Sequence, residues 1–347
     1  QLGILFAVLY GLVSLFGASR LIGFFKLNSP EVIAQAEWYV RIACGLVIFS
    51  YLNAILTGLL TAAGNSRTPF IVNVAGLVFN VVLDPVLIFG IGPFPELGVS
   101  GAAAATVTAQ ALVSLLFFKA VLREKVLFPH LRLWVLVPVK VWREIVRIGV
   151  PSAVQNLIYA GISMILTRLI TGWGDLAVAA QRVGSQIESV SWMVGDGFSA
   201  AVNAFLGQNY GAKRYDRVRR GYFCAIAMTA AWGLCTTFLL IGMARPLFSI
   251  FLQEEEVMAI GVNYLRIVGL SQMFMMVEQT SIGAFSGLGR TLYPSIISVT
   301  FTSARIPVAV LLSSVMGLSG IWWALSISSM VKGCIPVSYT HLTLPTT

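Results

Sequence analysis

Asn80 and Asp84 lie four residues apart inside the apolar run 69–92. That spacing stacks both side chains on one face of a helix. Pro85 follows at once. It has no N–H and crowds the carbonyl of Val81, which loses its usual partner. A carboxylate, an amide and a freed carbonyl form a nest for a proton or a small cation, sodium being the one metal this site would take. A charged side chain at mid-bilayer costs about 2.5–3.5 kcal/mol or more, so Asp84 is expected to face a bundle interior across a kinked helix. The plainer reading is an acid that only hydrogen-bonds a neighbouring helix.

A second constellation is spread over one apolar span. Gln181, Ser185, Glu188, Trp192 and Asp196 recur in steps of three or four, a single helical stripe. A polar stripe at membrane depth belongs against a cavity or a partner helix. Glu188 has two readings, a counter-charge for a cationic ligand or an ion pair with Arg182 or Arg168. Glu278 lies mid-span among Met273, Met275 and Met276, whose adaptable side chains suit a promiscuous pocket as well as ordinary packing. Arg305, followed by Pro307, is its expected partner. Asn53, Gln181, Glu188, Asp196, Glu278 and Arg305 are thus the candidate cavity residues. Trp322 and Trp323 read as packing or interfacial residues.

These side chains need a scaffold, and composition names its class. Of 347 residues, 57% are hydrophobic and only 11% charged, against about 25% charged in a soluble domain. The apolar runs are continuous rather than alternating, which excludes a β-barrel. An all-α polytopic membrane protein follows. Ten spans are predicted, at about 2–25, 38–63, 69–92, 98–122, 148–170, 176–206, 222–251, 262–288, 292–316 and 318–335. The net charge of +9 is concentrated in alternate connections. Arg67, the 123–147 linker, the 207–220 turn and Arg290 are basic; Glu96, Asp175 and Glu254 to Glu256 mark the others. This is the positive-inside pattern rather than a nucleic-acid footprint. Cys44, Cys224, Cys235 and Cys334 fall inside spans without a CxxC pair and read as buried, inert thiols. His130 sits in the basic linker. Neither HExxH nor GxxxxGK[ST] occurs, so no enzyme constellation is present and an ion gradient rather than ATP is the expected energy source.

The chain repeats itself after 225 residues. Gly17 meets Gly242, Arg20 meets Arg245, Tyr39 meets Tyr264, Gly58 meets Gly283, Gly64 meets Gly289 and Pro69 meets Pro294. After a shorter loop, Gly98 to Gly101 meets Gly317 to Gly320. Matched turn glycines and prolines carry weight because they fix backbone geometry. Basic loops meet basic loops, so the halves share one sense in the membrane, about an axis along its normal. Asn53 corresponds to Glu278, Asn80 to Arg305 and Asp84 to Ala309. The halves keep a scaffold and differ in polar equipment. The second half shows six spans and the first four, which predicts two further helices before Gln1 and twelve in all. The organisation expected is an N-lobe remnant over 1–122, a basic cytoplasmic linker over 123–147 and a C-lobe over 148–335. The polar tail 336–347 reads like a translated sequencing-adapter end and is set aside.

With repeat and motifs in hand, the chain resembles the MATE family, the multidrug and toxic compound extrusion transporters. The likeness rests on GNSRTPF at 64–70, FNVVLDPVLIFG at 79–90, GVSGAAAAT at 98–106, GVPSAVQ at 149–155, GQNYGA at 207–212 and GAFSGLGRT at 283–291. It implies two six-helix lobes around a central cavity that opens to alternate sides. It implies antiport of cationic or amphipathic compounds against protons or sodium, with no other cofactor, by a monomer in a bacterial inner membrane. In proton-coupled members an aspartate and an asparagine matching Asp84 and Asn80 belong to the coupling site. A further aspartate lies on the first helix, before Gln1, without which transport is not expected. Some sodium-coupled members carry a glutamate on the seventh helix of the full protein, where this chain has about Tyr159. Two alternatives stay open: a lipid-linked sugar flippase of the same superfamily, which needs a cation-lined cavity, and an intramembrane enzyme using Asp84 and the acids of the sixth span.

Overall fold

The computed structural model describes residues 1–23, 29–123 and 137–343, apart from the side chains of 123 and 336–343. Lys26, Lys125, His130, Arg132 and the last four residues of the tail lie outside the described residues. Every regular element among the described residues is a helix. Backbone contacts divide the chain into two units, Gln1–Leu136 and Val137–Thr347. The first holds α1 (Leu2–Gly23), α2 (Pro30–Ala43), α3 (Ile48–Ala62), α4 (Arg67–Phe89) and α5 (Gly98–Arg123). The second holds α6 (Val139–Thr171), α7 (Asp175–Gly211), α8 (Tyr215–Gly242), α9 (Ala244–Ser249), α10 (Glu255–Gly269), α11 (Gln272–Gly287), α12 (Leu292–Ser303), α13 (Arg305–Met316) and α14 (Leu318–Thr343).

Seven spans are long and apolar enough to cross a membrane, and two bent helix pairs raise the number to nine among the described residues. The bent pairs are α2 with α3, at 42°, and α10 with α11, at 51°. Their breaks fall inside the second and eighth predicted spans. The one predicted span not among these nine is the sixth, α7, whose polar stripe takes it below the hydropathy of the others. Its 37 residues make about 55 Å of helix at 1.5 Å per residue, well beyond a 30 Å hydrocarbon core. The helix α6 begins at Val139 behind Pro138, so Lys140, Arg143 and Arg147 of the expected linker are helical. Large apolar side chains such as Phe16, Phe238 and Val315 stand exposed along the helices, as on a lipid-facing surface. Cys224, Cys235 and Cys334 are exposed too, which corrects the expectation of buried thiols: a small apolar residue sits as well against lipid as in a core.

The repeat governs where helices start and stop. Shifted by 225 residues, α2, α3 and α4 coincide within one residue with the starts of α10, α11 and α12. Gly64 (φ 89°) and Gly289 (φ 68°) are counterparts in the left-handed region, open to glycine without steric penalty. They turn the chain after α3 and after α11. Pro85 lies inside α4, which runs on through it to Phe89. Only one more turn follows, and left-handed Gly90 caps it by donating its N–H to Val86 O. In the second unit the corresponding span is interrupted at Ala304, between α12 and α13.

Small residues bring α7 and α11 together. A side chain on Gly283 would run into the backbone of Ser199, and one on Gly287 into Asn203. Gly283→Val is therefore expected to lower stability by about 1–3 kcal/mol, the range for overpacking. Gly161→Ala on α6, with open space around it, is the control, expected to be neutral or to gain up to about 1 kcal/mol. Thermal unfolding in detergent distinguishes the two.

Candidate functional site

Inside the second unit the helices enclose a cavity of about 890 Å³. The stripe read from the sequence lines it: Gln181, Ser185, Glu188, Trp192 and Asp196 all project from α7 into this space. The helix α6 adds Tyr159, α11 adds Glu278, α13 adds Arg305 and α14 adds Lys332. The polar spacing along α7 survives because that helix packs against α8, α10 and α11, and its remaining face is given to the cavity.

Glu188 is 5% exposed. Three neutral donors reach its carboxylate. Trp192 Nε1 donates to Oε1 at 3.1 Å and Gln272 Nε2 donates to the same oxygen at 2.9 Å. Tyr264 OH donates to Oε2 at 3.0 Å. A carboxylate has about four lone-pair sites, so Oε2 keeps an acceptor position. The expected ion pair with Arg182 or Arg168 is not formed. Arg182 is exposed, six residues away on the same helix, and i, i+6 positions do not share a face. Tyr159 meets the Trp192 ring edge to face at 6.1 Å, giving the acid an aromatic flank.

Glu278 is also paired differently from the expectation. Lys332 Nζ lies 3.0 Å from its Oε1, with the two side chains 6% and 10% exposed. Arg305 instead donates from Nε to Ser328 Oγ at 3.1 Å and from Nη2 to Ser329 Oγ at 2.9 Å, with its guanidinium 5.9 Å from the centre of the Tyr159 ring. The two cations come from adjacent elements, and the one on α14 is nearer the acid. Of the three methionines near Glu278, only Met275 lines the cavity. Met276 is fully buried and, with Met273, packs at Gly233 of α8. Trp322 is core, edge-on to Tyr264 at 5.4 Å.

The remaining candidates belong to the first unit. Asn80 Nδ2 donates to Asp84 Oδ1 at 3.2 Å, so the i, i+4 reading holds as geometry; both side chains are half-buried. Asn53 is buried and lies outside the cavity of the second unit. Its Nδ2 donates to Gln110 Oε1 at 2.7 Å and to Gln110 O at 2.9 Å, and its Oδ1 accepts from Ser114 Oγ at 2.8 Å. Sequence reading passed over Lys332, Gln272 and Tyr264. Lys332 carried a signal, a lone charge inside an apolar span. Gln272 and Tyr264 carried none, since they are brought to Glu188 only by the packing of α7, α10 and α11.

The family model MatE matches residues 1–86 and 151–311. "Probable multidrug resistance protein NorM" of Thermotoga maritima is 32% identical over 317 residues, covering 87% of this chain and 66% of the relative. "Probable multidrug resistance protein YoeA" of Bacillus subtilis is 28% identical over 92% of this chain and 70% of its own length. The chain thus spans about two thirds of the relatives it matches. The solved structure of a MOP superfamily transporter from Pyrococcus furiosus has the same fold, with a TM-score of 0.90 at 19% identity over 99% of this chain and 76% of that one. The chain belongs to the MatE family, the MATE transporters.

Proposed function

We propose that this protein is a secondary multidrug antiporter, exchanging cationic or amphipathic organic molecules for protons or sodium across a bacterial inner membrane. The observation that carries the reading is the buried acid Glu188, held in a polar cavity by neutral donors alone. An organic cation entering the cavity meets a carboxylate with an acceptor position left, beside the aromatic side chains Trp192 and Tyr159. The likeness to relatives named as multidrug resistance proteins supports the same reading.

Asp84 and Asn80 are the proposed seat of the coupling ion. The pair offers one carboxylate and one amide oxygen, enough for a proton; a sodium ion would draw further oxygens from neighbouring groups. The ion is cargo here, and its passage needs no resident cofactor. A monomer satisfies this reading. The flippase alternative finds no support in the cavity lining, where Arg182, Arg305 and Lys332 are matched by Glu188, Asp196 and Glu278.

The test is energetic. With the protein supplied at the full length of its relatives, inside-out vesicles are loaded by an imposed proton or sodium gradient and ethidium movement is followed. One gradient is expected to drive transport and its collapse to stop it. Movement indifferent to both gradients would remove antiport.

A further inference from the structure

The repeat supplies an internal control for the Glu278–Lys332 pair. Glu278 corresponds to Asn53 under the 225-residue shift. The helix α14 corresponds to α5 under the 219-residue shift that aligns Gly98 with Gly317, which places Lys332 opposite Val113, between Gln110 and Ser114. In the first unit this contact between α3 and α5 is made by neutral groups, Asn53 with Gln110 and Ser114. In the second unit the equivalent contact between α11 and α14 is an ion pair at 3.0 Å. The scaffold therefore joins these helices without charge. Burying two ions costs several kcal/mol each before their attraction offsets it, and a neutral pair commonly does as well for stability. Charge at this point is not required to join the two helices, and both partners line the cavity.

We propose that Lys332 is a tethered cation that sets the charge selectivity of the cavity. It neutralises Glu278 and leaves Glu188, among the described residues, as the one buried acid open to a ligand. The cavity then favours organic monocations and discriminates against dications, whose second charge has no free acid beside Glu188 to meet. Asp196 lines the same wall but stands eight positions further along α7, about 12 Å of helix at 1.5 Å per residue, so it is remote from a second charge carried close to the first. Arg305, held by Ser328 and Ser329 beside the pair, adds to the repulsion of a second positive group.

The inference rests on the reading of the cavity as an organic-cation site, and the test separates the two. Ethidium and propidium share one aromatic ring system and differ by an added quaternary ammonium. Their affinities for the purified protein in detergent are compared across variants. Wild type is expected to prefer ethidium. Lys332→Gln frees Glu278 and is expected to improve propidium binding by about ten-fold, equivalent to 1.4 kcal/mol, with ethidium changed far less. Glu278→Gln/Lys332→Gln reproduces the neutral contact of the first unit and is expected to restore the wild-type ratio. If Lys332→Gln does not fold, Glu278→Gln reads the same idea in reverse, since its uncompensated lysine lowers propidium affinity further. A wild-type protein that binds neither dye removes the cation-site reading and this inference together. Ethidium binding with a dye ratio that neither single variant moves, or a gain that persists in the double variant, overturns the inference alone.

Discussion

Asp84→Asn is expected to abolish gradient-driven efflux while leaving the fold and dye binding intact. The substitution keeps size and shape, and its amide oxygen still accepts from Asn80 Nδ2, now at 3.2 Å from Asp84 Oδ1. What it removes is the only acid of α4, whose other ionisable group, Arg67, stands at its first position. Exchange depends on a coupling free energy between ion and substrate, and couplings of this kind amount to about 1–3 kcal/mol, or about 5–150-fold in affinity. A residue that cannot change charge supplies none of it. The measurement is the initial rate of ethidium movement in inside-out vesicles under an imposed gradient, beside equilibrium binding to the same protein in detergent. A mutant that pumps at the wild-type rate would take Asp84 out of the mechanism. Loss of binding along with pumping would instead make Asp84 a structural acid.

Glu188 gives the second large effect, and two variants separate its roles. Glu188→Ala leaves Trp192 Nε1, Gln272 Nε2 and Tyr264 OH without their shared acceptor. Each buried donor left unsatisfied costs about 1–3 kcal/mol. A fall of several kcal/mol in stability follows, read as a lower unfolding temperature in detergent. Glu188→Gln keeps an oxygen for Trp192 and Gln272 and turns its amide toward Tyr264, whose hydroxyl oxygen can accept. Stability should change much less. The negative charge is gone, however, and a hydrogen bond to a charged group contributes about 1.5–3 kcal/mol, so monocation affinity should fall by roughly ten- to a hundred-fold. Ethidium titration of the folded glutamine variant checks this. Unchanged affinity would place the cation elsewhere in the cavity.

How much of this was legible beforehand follows from the range of each interaction. The helical class came from composition alone, because continuous apolar runs with few charges have one stable form in a bilayer. The duplication was legible from turn glycines and prolines, and helix starts 225 residues apart bear it out, since those residues fix backbone angles locally. The stripe on α7 was legible as well, because the period of a helix is a local property, and all five of its members reach the cavity. Asn80 and Asp84 are bonded for the same reason.

The pairing of charges was not legible. From sequence spacing Arg305 and Arg182 were the natural partners of Glu278 and Glu188. Which cation lies within 4 Å of an acid depends on how α11, α13 and α14 pack, and α14 brings Lys332 to Glu278 from 54 positions along the chain. The Glu188 site likewise gathers donors from α7, α10 and α11. Pro85 was a sound local signal for a bend, yet the sharp bends fall between α2 and α3 and between α10 and α11. Pro85 takes one hydrogen bond from α4 near its end, with one more turn following before Gly90. The sequence by itself determined the elements, their repetition and the faces they present, all set by neighbours within a few residues. The tertiary structure alone decided which charged side chains answer one another, because a buried charge takes its partner from whatever helix packing places against it.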